Sequence, residues 1–239
     1  MDKSAENNKS IKNRKRFAKF LNIFIIVVAV TLLALEGVLY YQRSYLTPFW
    51  VNGQSMYPTL NEHAVYANGE EIGISGSASA GSIVDYGVMD THKGAINKIK
   101  RFDIIVTKYS KTDTSNKIKR VLGLPGETIT LVNTGKGNEY NGDLYINGKL
   151  IEQPIESKYI VDGDYSNVIY TQNLVLGSDE YYVCGDNRAN SSDSRRDGPV
   201  KKSWITGKVV AICGTCEVYL NEKYYDIKNI DYKWPRKVK

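Results

Sequence analysis

Residues 20–41 read FLNIFIIVVAVTLLALEGVLYY, an apolar run broken only by the polar residues Asn22, Thr31 and Glu36. As a helix rising about 1.5 Å per residue it reaches about 30 Å, the thickness of a bilayer's hydrocarbon core. It shows no polar face before Glu36, as a core helix of a soluble domain would. A cleaved signal peptide is the competing reading, but the run is long for one and has no small-x-small cleavage site at its end. The pattern therefore predicts an uncleaved anchor. Lysines and arginines crowd the stretch before it, KSIKNRKRFAKF, which by the positive-inside tendency leaves the N-terminus in the cytoplasm and sends the rest outside. Glu36 then falls near the outer interface, where a carboxylate costs little.

After Leu60 the period changes to that of strands. Alternating or β-branched runs recur as RFDIIVTKY (101–109), IKRVLGL (118–124), TITLV (128–132), DLYING (143–148), YYVCG (181–185) and GKVVAICG (207–214). LPGE (124–127) and the pairs Asn141-Gly142 and Asn147-Gly148 punctuate them as turns. Many short strands without a helical pattern predict a mostly β fold, an antiparallel barrel or coiled sheets, behind one N-terminal transmembrane helix. The expected organisation is a basic cytoplasmic N-terminus (1–19), an anchor (20–41) and an extracytoplasmic β domain (42–239). The small, polar stretch 68–82 reads as a surface loop or insertion within that domain.

Composition narrows the function. A chain of 239 residues with 42% hydrophobic content buries a substantial core, and its net charge of +6 gathers at the two ends instead of forming a nucleic-acid stripe. Nucleic acid is not an expected partner. Three cysteines, Cys184, Cys213 and Cys216, are too few for a disulfide framework and one short of a four-cysteine zinc site. CGTC (213–216) is either an oxidised pair or two packed thiols; no thioredoxin-like βαβ setting supports redox catalysis.

The candidate chemistry lies in VNGQSMYPTL (51–60), which sets Ser55 between Gly53 and Pro58. A serine nucleophile needs a base. His63 and His92 are the only histidines, and neither comes with a nucleophile elbow or strand-turn-helix context. A neutral lysine serves instead where apolar surroundings depress its pKa. In NKIKRVLGLPGE (116–127), a strand puts Lys117, Lys119 and Val121 on one face and Ile118 and Arg120 on the other.

Four motifs occur in order behind the anchor: SMYPTL, RFDIIV, IKRVLGLPGE and GDNRANSSDSR. Together they resemble the bacterial type I signal peptidases, the serine-lysine leader peptidases, in a Gram-positive-like single-anchor form. The resemblance covers about a quarter of the chain. It implies a membrane-bound serine endopeptidase that removes signal peptides from secreted precursors, cutting after small residues at −3 and −1, with no cofactor and no metal. Its partners would be those precursors and the lipid bilayer. It makes Ser55 the nucleophile and Lys119 the general base. Ser191 would orient the lysine, Asp193 and Arg195 would form a bracing ion pair, and Asp186, with Asn187 and Arg188, would belong to the same support. Lys117 stands where the family often has an aromatic or other residue; a like charge there would help depress Lys119.

Two positions depart from the pattern. Gly53 stands where some members have a serine that joins the oxyanion hole, so the hole would rest on backbone donors, chiefly the Ser55 N–H, with Gly53 allowing close approach. Ala189 replaces a frequent acidic residue and removes no catalytic group. Val51, Met56, Leu60 and Ile118 are candidate pocket-lining residues or ordinary core. Phe49 and Trp50 suit either a membrane interface or core packing. Two rival readings are a non-catalytic assembly factor of the same fold, for example for surface pili, and a self-cleaving repressor. The presence of both Ser55 and Lys119 opposes the first; the anchor and the lack of a DNA-binding helical domain oppose the second.

Overall fold

The apolar run lies within one long helix, α1 (Lys3–Tyr45), which continues through 42–45 because those polar residues still have ordinary helical propensity. A computed structural model describes residues 3–73, 76–132, 142–154, 171–221 and 224–238, with side chains from residue 14. Within α1, Arg14–Tyr45 is long and apolar enough to cross a membrane, and an 18-residue stretch inside it has a mean hydropathy of 2.6. The chain divides into two units after Tyr45, and the second is built almost entirely of strands.

Its larger sheet runs in the order β1 (Leu46–Trp50), β2 (Ile83–Asp90), β11 (Ile205–Asn221), β3 (Ile104–Thr107), β4 (Lys117–Gly123), β9 (Glu180–Cys184) and β10 (Val200–Lys201). The last strand, β12 (Tyr224–Arg236), pairs with β11. A smaller sheet has the order β7 (Lys149–Ile151), β6 (Asp143–Ile146), β5 (Thr128–Val132), β8 (Thr171–Val175). All pairings are antiparallel. The long β11 is what curls the larger sheet: it pairs β2 and β3 through irregularities at 209–211, 212–214 and 205–207. Bulges of this kind bend a strand and raise its twist. The ends, β1 and β10, are not paired with each other, so the sheet stays open.

All six expected strands are present; β11 (Ile205–Asn221) starts just before 207–214 and runs well beyond its end. β1, β2, β7, β8, β10 and β12 were not apparent in the sequence pattern. β1 contains Pro48, which an edge strand tolerates because it need not donate on its outer side. The stretch 68–82 is not wholly a surface loop: Ile72, Ala78 and Ser82 are buried, and Ser77 bridges Gly53, while 74–75 lie outside the described residues. Asn141 also lies outside them. Asn147-Gly148 forms the β6–β7 turn with both residues at positive φ.

The core is divided among several apolar clusters. One joins Leu122 and Tyr182 of the larger sheet to Ile129, Leu131 and Leu144 of the smaller sheet. Another joins Val51, Met56 and Leu60 to Met89, Ile104, Val106, Val209 and Ile212. The first cluster fixes the small sheet to β4 and β9. Leu131→Ala is expected to lower stability by about 2–5 kcal/mol through lost burial and a residual cavity, measured by guanidinium unfolding of the detergent-solubilised chain.

Candidate active site

Ser55 lies in a tight turn that leaves β1 and returns to the core. Val51 donates to Asp85 O at 3.0 Å, Tyr57 N to Gln54 O at 3.0 Å, and Leu60 N to Met56 O at 3.0 Å. Asn61 closes the turn at φ 60°, a left-handed conformation that asparagine tolerates better than most residues. Its side chain donates to Val51 O at 2.8 Å and accepts from Asp85 N at 2.8 Å, while its own N–H reaches the Asp85 carboxylate at 2.9 Å. Both ends of the turn are thereby fixed.

Lys119 comes from β4, 64 residues away in sequence, and its Nζ donates to Ser55 Oγ at 2.8 Å and to Ile118 O at 3.0 Å. Only 3% of Lys119 is exposed. Burial, the largest influence, pushes its ammonium down to about 8, and the Lys117 charge pushes the same way; Asp193, Cys184 and Asp186 pull upward. At that value about a tenth of the side chains are neutral at pH 7, against about 0.03% for a free lysine at 10.5. The arrangement thus joins a hydroxyl to an amine that can accept its proton.

The segment after β9 forms the other wall of the turn. Asn187 N donates to Ser55 O at 3.1 Å and its Nδ2 to Gln54 O at 3.0 Å. Asp186 accepts Thr59 Oγ1 at 2.5 Å and pairs with Arg120 through Nε at 2.8 Å and Nη2 at 2.6 Å, with neither side chain exposed. Arg120 also donates to Phe102 O at 2.9 Å. Arg188 donates to Gly185 O at 3.0 Å and to Gln153 Oε1 at 2.7 Å. Asp193 caps the short helix α3 (Ser194–Asp197), accepts from Gly185 N at 3.0 Å and pairs with Arg195 at 2.8 Å through both Nε and Nη2. Burial alone would raise the Asp193 carboxyl, but the Arg195 guanidinium and these N–H donors outweigh it and hold it below the usual range.

The buried Arg120–Asp186 pair is the site feature that sequence reading missed. An arginine inside the apolar strand run IKRVLGL, and an aspartate just after the YYVC run, are the signal that could have found it: charges at such positions need a buried partner. The Ser191 hydroxyl, expected to orient the lysine, is buried against Gly185 and beside Asp193 and makes no hydrogen bond to Lys119, whose Nζ meets Ser55 Oγ and Ile118 O.

A groove of about 570 Å³ opens beside Ser55. Val51 and Ile118 line it; Met56 and Leu60 are fully buried in the cluster beneath the turn, to which Val51 also belongs. Phe49 and Trp50 line the groove and pack against separate core clusters. A Cβ on Gly53 would meet nothing within 4 Å, so no internal contact demands glycine there. The Gly53 N–H and C=O, and the Ser55 N–H, make no hydrogen bond among the described residues. Pairing of β9 with β4 begins only at Arg120, so 117–119 has β3 on one side and an open edge on the other.

The histidines are elsewhere: His63 is exposed 3.9 Å from Glu62, and His92 caps the short helix α2 (Lys93–Ile96). Cys213 and Cys216 are free thiols packed in one apolar cluster. Among the described residues no group of three or more His, Cys, Asp or Glu side chains is arranged to hold a metal ion.

A family model described as signal peptidase, peptidase S26, matches residues 18–213. Signal peptidase I V of Bacillus subtilis (strain 168) is 29% identical over 204 residues, covering 82% of this chain and 97% of that protein. Signal peptidase I of Bacillus amyloliquefaciens is 31% identical over 213 residues, 84% of this chain and 88% of that protein. A solved signal peptidase I from Enterococcus faecalis V583, 31% identical, covers 46% of this chain and 96% of its own, with a TM-score of 0.37, an overlap too small to bear on the fold.

Removing one member of the buried pair leaves the other charge uncompensated. Asp186→Ala is expected to cost about 3–5 kcal/mol in denaturant unfolding, and the double change Arg120→Met, Asp186→Leu to recover much of that loss.

Proposed function

Given that this chain belongs to the signal peptidase family, peptidase S26, and is a peptidase that removes signal peptides, we propose that Ser55 and Lys119 perform the cleavage as nucleophile and general base. The observation that carries the reading is the 2.8 Å approach of the buried, depressed Lys119 amine to Ser55 Oγ on a groove wall. Ser55 Oγ attacks the scissile carbonyl carbon as its proton passes to the neutral amine. The resulting ammonium gives a proton to the leaving nitrogen, the C–N bond breaks, and an acyl ester remains on Ser55. Water, deprotonated by Lys119, then releases the ester and restores the serine.

The unpaired Ser55 N–H is the oxyanion donor of this reading. The precursor lies extended between two backbones with free groups, Gly53 on one side and the open edge at 117–119 on the other. Val51 and Ile118 contact its side chains, and small residues at −3 and −1 fit the confined groove. Asp186, Asn187, Asp193 and Arg195 position the turn and the lysine surroundings without touching the peptide. The apolar helix anchors the protein in the membrane, N-terminus in the cytoplasm and β domain outside, following the basic residues that precede it. A purely assembling role is not favoured, because nothing in scaffolding calls for a buried lysine aimed at a serine.

Two outcomes are expected with a purified secretory precursor. Wild type removes the signal peptide, whereas Ser55→Ala and Lys119→Ala lose activity by at least about 10³-fold; either variant cutting as well as wild type would overturn the mechanism. Because the base acts neutral and its pKa is lowered to about 8, kcat/KM should rise with pH through a midpoint near 8 and then level. A pH-rate profile checks this, and a midpoint near 10 would contradict it.

A further inference from the structure

The groove beside Ser55 carries charge of one sign. Lys117 and Lys119 line it, and no Asp or Glu side chain does. Lys119 is committed to Ser55 Oγ and Ile118 O. Lys117, two residues earlier on the same strand and half-buried, makes no side-chain hydrogen bond or ion pair among the described residues. Opposite it on β3 is the neutral Thr107. The charged groups around it are otherwise engaged. Asp113 is half-buried and held by Ser115 and the Tyr109 N–H; it feels the Lys117 charge but makes no ion pair with it, while Asp193 is held by Arg195 and Asp186 by Arg120. An ammonium with no ion-pair partner among the described residues, beside Phe49, Trp50, Val51 and Ile118, projects its field into the groove.

The position of that charge along the groove is defined. Lys119 marks the level of Ser55, and each two-residue step along a strand covers about 6.6 Å. Lys117 therefore lies one such step away, on the stretch of groove also lined by Asn52 and Gly53, which precede Ser55. In the extended precursor described above, that stretch holds the residues before the scissile bond.

We propose that Lys117 is a specificity-determining residue that favours precursors with an acidic side chain two to four residues before the scissile bond, pairing its ammonium with that carboxylate. The inference rests on Ser55 and Lys119 being the reacting pair and on the peptide lying along this groove. It also gives the like charge beside Lys119 a second use: a carboxylate docked on Lys117 offsets part of the repulsion that Lys117 exerts on the base.

The test uses the full chain in non-ionic detergent and quenched fluorescent peptides that differ only in Asp, Asn or Lys at −2 or at −4. The readout is the ratio of kcat/KM values within each variant. Wild type should prefer Asp to Lys by about tenfold at one of these positions, and high salt should shrink the preference as the screening length falls from about 10 Å to about 3 Å. Lys117→Arg should keep the preference, Lys117→Gln should remove it and Lys117→Glu should reverse it. Equal cleavage of the three peptides by wild type, or an Asp preference that survives Lys117→Glu, overturns the proposal. Failure of the underlying mechanism shows separately, as cleavage of the Asn peptide by Ser55→Ala.

Discussion

A guanidinium and a carboxylate with no exposed surface, Arg120 and Asp186, hold the rest of the site in place. Such a pair adds little net stability, because removing two charges from water costs about what their attraction returns. Its effect is one of arrangement. Arg120 is bonded through its side chain to Phe102 O, and Asp186 to the Thr59 hydroxyl at the far end of the serine turn. One interaction therefore ties the lysine-bearing strand, the loop before β3 and the turn of Ser55 to each other. Any other packing of these three segments would strand a buried charge.

Adjacent residues of one strand show the two fates of a buried cation. Arg120 is neutralised by Asp186 at hydrogen-bond distance; Lys119 meets only a hydroxyl and a carbonyl. The same exclusion of water therefore produces a structural ion pair at one position and a depressed amine at the next. Asp193 could have undone this, since its charge pulls the lysine upward, but its carboxylate is engaged by Arg195 and the Gly185 N–H. The polar segment after β9 thus supplies rigidity while its carboxylates are paired with Arg120 and Arg195.

The order of strands was legible wherever burial on alternate residues left a periodic trace, as in 128–132, where pattern and strand coincide. β12 left no such trace because most of its side chains are exposed, and β2 because Gly87 and Asp85 interrupt it. Ser55 and Lys119 stood out through the linked motifs; neither residue's periodicity alone distinguishes it. The Arg120–Asp186 contact spans 66 residues and the Asn61–Asp85 contact 24, distances at which no local pattern registers. Core and groove are hard to separate within 51–60 for a related reason: a turn rotates successive side chains between the two, and Val51 belongs to both.

The open edge at 117–119 has a consequence for solution behaviour. Unpaired strand edges are templates for sheet-to-sheet aggregation, and many proteins cover them or spoil them with charge. Here the edge lies along a groove walled by Phe49, Trp50 and Met89, and its first residue is a lysine with no ion-pair partner among the described residues. A second copy docking here by its own edge would meet like charge. A single unfolded chain, thin and locally extended, can enter. In the proposed binding mode the recess therefore favours an unfolded partner before any side chain is read.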